Sequence, residues 1–167
     1  MAKLGTFDIL RVAEQIEQDG IDFYRMAATR FDDDTLHDLF TQLAGWEAKH
    51  KEAFVEMRRD LLEQLDMKMR FDEASYMTSN PQQLRSLASG AVKGDPEQQL
   101  AKISSKVDAL ELALKRETDT IKFFRSLVGH LRNLPTKKRV KAIIEEEKKH
   151  INILTQSIQT LENRSTQ

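Results

Sequence analysis

Two glutamate–histidine pairs stand one hundred residues apart in this chain. "LAGWEAKHKE", residues 43–52, carries Glu47 and His50; "IIEEEKKHIN", residues 143–152, carries Glu147 and His150. Residues three apart on a helix project from nearly the same face, so each pair can reach one centre. The same offset relates Glu17, Phe23 and Tyr24 to Glu117, Phe123 and Phe124. Each half therefore reads E-x5-F-aromatic, then E-x-x-H. An isolated E-x-x-H is weak in a helix rich in lysine and glutamate, but six polar positions in register make a repeat.

These six positions interrupt apolar stripes. Glu17 follows Ile16, Glu47 and His50 fill the gap between Leu43 and Phe54, Glu117 lies between Leu114 and Ile121, and Glu147 lies between Ile143 and Ile151. Four carboxylates buried there without partners would cost several kcal/mol each or be forced to take up protons. Two divalent cations would cancel the four charges, and neutral imidazoles would complete the coordination. Carboxylate oxygen and imidazole without thiolate suit iron or manganese, and zinc can occupy such a site. A glutamate shared by two ions makes a dinuclear centre that can exchange electrons with oxygen or peroxide.

Four long segments must position these residues. Apolar residues recur at steps of three and four over roughly 6–30, 35–69, 105–132 and 136–163, which predicts four amphipathic helices. "DDDT" at 32–35 supplies capping oxygens for the second, and Pro135 suits the first turn of the fourth. Both connections are short, so the first two helices form one antiparallel hairpin and the last two another. Residues 70–104 hold Pro81, Gly90, Gly94 and Pro96. There "NPQQLRSLASGA" and "DPEQQLAKIS" each read as a cap, a proline and a short helix. The expected fold is all-α: two helical hairpins joined by a long crossover between helices two and three, in one domain over 1–167.

Composition narrows the function. A formal net charge of -1 gives no basic field for nucleic acid. Cysteine is absent, which excludes disulfides, thiolate nucleophiles and thiolate-bound metal within these residues. No stretch approaches the ~18 apolar residues of a membrane span, and the first twenty residues lack a signal-peptide pattern. A soluble, cytoplasmic protein is the expectation.

The stretches "AEQIEQDGIDFYRMAA", "LFTQLAGWEAKHKEAF", "ALELALKRETDTIKFF" and "AIIEEEKKHINIL" resemble the rubrerythrin branch of the ferritin-like di-iron proteins. They cover the four main helices and not the crossover. The resemblance implies a ferritin-like four-helix bundle holding two irons. It implies Glu17 and Glu117 as ligands, Glu47 and Glu147 as bridging or shared carboxylates, and His50 and His150 on one iron each. The implied activity is that of a non-haem di-iron oxidoreductase, reducing hydrogen peroxide or oxygen, a role in oxidative stress. Full-length rubrerythrins carry a rubredoxin domain with four cysteines; here an external electron donor such as a rubredoxin-like protein is expected instead. Rubrerythrins also tend to have a further carboxylate one turn after the helix-three ligand, where this chain has Thr120. A homodimer is expected, since ferritin-like proteins often dimerise. Two other readings stay open: a ferroxidase that handles iron, and a helical binding module with a structural metal.

Several residues have two readings. Tyr24 is either a hydrogen-bond donor or redox-active phenol beside the metal, or a core aromatic with its hydroxyl at the rim. Trp46 stands where the second half has Glu146, and reads as packing rather than electron relay. The spacing leaves Glu146 undecided, while Glu145, Lys148 and Lys149 are expected to face water. His37 and His130 lack counterparts in the other half and read as surface residues.

Overall fold

The structure, a computed structural model, describes residues 6–64 and 95–165. It contains α1 (Thr6–Ala28), α2 (Asp34–Gln64), α3 (Pro96–Ala101), α4 (Lys106–His130) and α5 (Leu134–Ser165), with no strand among the described residues. The part of the expected crossover over 70–94, with "NPQQLRSLASGA" in it, lies outside the described residues, as does the expected end of the second helix.

Local chemistry sets the helix starts. Asp33 Oδ1 accepts from Leu36 N at 3.0 Å and caps α2. Asn133 Oδ1 accepts from Thr136 N at 3.0 Å and caps α5, with Pro135 in the first turn, where a missing N–H costs nothing. Asp95 caps α3, which has a proline at its start, as "DPEQQLAKIS" predicts. Ser105 caps α4 through Asp108 N.

α1 packs along α2, and α4 along α5; the two hairpins meet through α1 against α4 and α2 against α5. This is the expected all-α bundle of two hairpins. Apolar side chains form two separate layers. One contains Phe23, Tyr24, Phe40, Leu43, Leu110 and Leu154. The other contains Leu10, Phe54, Ile121, Phe124, Val140 and Ile143. Phe54 and Phe124 meet across the hairpins with ring centroids 5.0 Å apart. Burying each such side chain contributes roughly 1.5–3 kcal/mol. Every long helix supplies both layers and changes from one to the other at the same level. α1 does so at Glu17, α2 at Glu47 and His50, α4 at Glu117, and α5 at Glu147 and His150. The hydrophobic layers thus clamp a polar slab across the middle of the bundle.

Ion pairs fasten the ends. Lys106 Nζ lies 2.6 Å from Asp33 Oδ2, tying the α1–α2 turn to the start of α4. Arg30 donates to Ile103 O at 2.8 Å. At the other end Arg58 Nε holds the buried Glu14 at 2.6 Å.

Candidate metal centre

All six repeated positions converge in the slab. Glu17, Glu47, His50, Glu117, Glu147 and His150 are each at most 3% exposed. Their atoms form two overlapping groups: Glu17, Glu47, His50 and Glu147, and Glu47, Glu117, Glu147 and His150. Within each group one ligand atom per residue lies within 4.8 Å of the others. Glu47 and Glu147 belong to both. The two oxygens of Glu147 face different histidines: Oε1 is 3.0 Å from His50 Nδ1 and Oε2 is 2.9 Å from His150 Nδ1. Glu47 mirrors this more loosely, with Oε1 3.2 Å from His150 Nδ1 and Oε2 3.8 Å from His50 Nδ1. Glu17 and Glu117 stand at the outer sides, 4.0 Å and 3.9 Å from the nearer imidazole.

The electrostatics of this arrangement are severe. Burial drives the Glu17 carboxyl well above its usual pKa, and the neighbouring Glu47 adds to it. Burial does the same to Glu117, reinforced by Glu147 and Glu47. For Glu47, burial raises the pKa, but the adjacent imidazoles of His150 and His50 outweigh it and the net shift is downward. Burial lowers the imidazoles, yet contact with Glu147 and Glu47 dominates, raising His50 to about 10 and His150 to about 9. Protons therefore hold together a set of groups that repel one another.

A metal fits this set. Glu17 Oε1, Glu47 Oε1, His50 Nδ1, both oxygens of Glu147 and His150 Nδ1 are buried without a hydrogen-bond partner. The nearest charged neighbours of these atoms are other members of the set, 2.9 Å to 4.0 Å away. Buried polar atoms are ordinarily satisfied, and each exception costs about 1–3 kcal/mol. Here the exceptions converge, from three helices, and all are oxygen or imidazole nitrogen. That donor set suits divalent first-row metals.

Side chains around the six orient them. The Tyr24 hydroxyl donates to Glu117 Oε1, and the ring is buried. Its hydroxyl points to the centre and not to the rim. Burial and then Glu117 raise its pKa well above the ordinary value, so the phenol keeps its proton. His50 Nε2 meets Glu146 Oε2 at 2.8 Å, which leaves Nδ1 directed at the carboxylates. Trp46 stacks on His150, centroids 4.9 Å apart and planes 10° apart. The unlike pair Trp46 and Glu146 thus supports both histidines, by a carboxylate on one and an indole on the other. Glu145 and Lys149 are exposed, and Lys148 is half-buried with Glu145 at 2.6 Å. His37 and His130 are exposed, far from the centre in sequence and bonded to Ala28 O and Ser126 O.

Among the described residues a cavity of about 90 Å³ lies between α1 and α4 beside this centre. Glu17, Glu47, Glu117 and Tyr24 line its buried side, and Gly20 and Thr120 its walls. Residue spacing does not reveal the cavity, which depends on how two distant helices meet. Nor did it mark the buried Glu14–Arg58 pair; Glu14 lies one turn from Glu17 on the same stripe, and only its partner distinguishes it.

Fold and centre define a class: a ferritin-like helical bundle whose carboxylate–histidine centre suits a di-iron protein. The crystal structure at 2.30 Å of a candidate ferritin-like diiron-carboxylate protein from Thermotoga maritima is similar, with a TM-score of 0.67 and 28% sequence identity. The match covers 93% of this chain and 95% of that chain. The sequence profile of the rubrerythrin family matches residues 8–158. This chain belongs to the rubrerythrin family. A search of curated proteins finds no significant match.

Proposed function

We propose that this protein is a non-haem di-iron oxidoreductase that reduces hydrogen peroxide or oxygen with electrons from an external donor. One observation carries the reading: Glu147, seconded by Glu47, turns its two oxygens toward two different imidazoles, as a carboxylate shared between two ions must. In this reading Glu17, His50, Glu117 and His150 would hold the ions together with Glu47 and Glu147. Two irons bound there would supply the paired electrons that cleave an O–O bond.

The protein's own residues do the rest. Hydrogen peroxide takes up two electrons and two protons, its O–O bond breaks, and two waters leave. Tyr24 fixes Glu117 by its hydroxyl and retains its proton at Oη. Glu146 fixes the His50 ring, and Trp46 shields one face of His150. The apolar layers above and below exclude bulk water. These residues include no cysteine with which to hold an iron–sulfur relay; in this proposal a separate one-electron donor, such as a rubredoxin-like protein, would supply the electrons. A homodimer is part of the same proposal.

An anaerobic Fe(II) titration of metal-free protein tests this, followed by rapid mixing with peroxide. The expected result is two irons per chain, oxidised faster by peroxide than by oxygen, with Glu147→Ala losing both irons together. Two tightly bound irons inert to either oxidant would reject the oxidoreductase and leave a structural metal. Loss of only one iron in Glu147→Ala would reject the shared carboxylate.

A further inference from the structure

Gly20 lies inside α1, three residues after Glu17. Glycine there weakens the helix relative to alanine. Packing does not demand it. A Cβ at this position would meet Glu47 Cγ at 3.4 Å and its Oε2 at 3.6 Å, ordinary contacts with a side chain. What a side chain would fill is the cavity that reaches Glu47. Thr120, one turn after Glu117 on α4, lines the same cavity from the other helix.

The cavity has a definite size and charge. An apolar cavity that admits a benzene ring measures about 150 Å³; this one is about 90 Å³. Asp19, Asp119, Lys115 and Arg116 stand around it, and the buried Glu17, Glu47 and Glu117 line its inner side. Asp119 is held by Lys115 at 2.7 Å and Lys122 at 3.2 Å. Arg116 lies over the Phe23 ring and donates to Gln99 of α3 at 2.8 Å. Such a rim does not repel neutral molecules.

We propose that Gly20 and Thr120 form the passage by which neutral molecules of two heavy atoms reach the Glu17–Glu47–Glu117 side of the centre, excluding peroxides that carry an aryl group. The choice of peroxide as visitor rests on the oxidoreductase reading above; the passage does not.

The test uses nitric oxide, a neutral diatomic that coordinates ferrous iron, with the iron-loaded, reduced protein. Its association is followed by absorbance in stopped flow, and metal content is measured for each variant. Gly20→Val should slow association by about tenfold, as expected when a tight space is overfilled. Thr120→Val, which removes the hydroxyl without lengthening the side chain, should slow association far less than Thr120→Leu. Gly20→Ala should raise Tm while slowing association less than Gly20→Val, a split that a purely structural glycine would not give. Where Gly20→Val fails to take up its full iron, Thr120→Leu applies the same obstruction from α4. Wild-type association in the fully loaded Gly20→Val or Thr120→Leu protein would overturn the passage. Cumene hydroperoxide oxidising the wild-type centre as fast as hydrogen peroxide would overturn its size limit. Gated nitric oxide with no oxidation by either hydrogen peroxide or oxygen would uphold the passage and reject the oxidoreductase.

Discussion

At the scale of single residues, the two halves of the repeat differ most in how each histidine is held. Glu146 accepts from His50 Nε2, whereas His150 has the face of Trp46 against it. A carboxylate on the far nitrogen of a metal-binding imidazole fixes its tautomer and raises its basicity, and its loss costs about 10–100-fold in metal affinity. Glu146→Ala should therefore weaken one of two binding events by that factor and spare the other. Glu146→Gln, which can still accept a hydrogen bond through its amide oxygen, should lose much less. A competitive titration with Fe(II) resolves the two events; equal weakening of both would show that Glu146 acts on the whole slab. The six repeated positions were legible because a register of one hundred residues and the breaks in the apolar stripes coincide. Glu146 was not, because it is half in water and its role depends on a histidine on another helix. Spacing along α5 cannot distinguish it from Glu145.

At the scale of the element, the helices themselves were the most readable part. Their periodicity gave four segments whose ends agree with the structure within a few residues wherever those ends are described. The caps were readable too, though not the residue that performs each. In "DDDT" three acids could cap α2, and Asp33 does. It also meets Lys106 across the hairpins, and that hydrogen bond, with the backbone N–H of Leu36, holds its carboxyl below the usual range. Asp33→Ala should destabilise the protein by about 1 kcal/mol through the lost cap. The partly exposed ion pair adds at most a small increment. Asp33→Asn keeps the capping oxygen and should recover most of the loss. Urea denaturation with unchanged m-value checks both variants. Equal loss in Asn and Ala would mean that the charge contact with Lys106, not the cap, fastens this corner.

At the scale of the whole molecule, the bundle carries a polar slab between two hydrophobic layers, and protons and metal compete for it. Without metal, His50 and His150 hold their protons up to about 10 and about 9, against ~6.5 in an unfolded chain. A group with a pKa raised by folding stabilises the fold through its proton. That contribution is complete below pH ~6.5 and is lost as pH rises through the folded values. Glu17 and Glu117 act in the same direction, because burial raises both and each charge forced on the fold then costs stability. Glu47, shifted down, opposes them only in acid. Metal-free protein should therefore lose Tm steadily between about pH 6 and pH 9.5. Metal reverses the dependence, since its ligands must be deprotonated and its affinity rises as protons leave. At free metal about 1,000 times Kd the stabilisation is about 4 kcal/mol, or roughly 8–16 °C for a chain of this length. Thermal melts with and without chelator should show this gap widening from pH 6 to 9.5, with the metal-free curve falling beneath a flatter loaded one. A gap that stays constant with pH would place the metal away from these imidazoles and carboxylates. A widening gap that vanishes in His50→Ala and His150→Ala would assign the competing protons to the same nitrogens that face the shared glutamates.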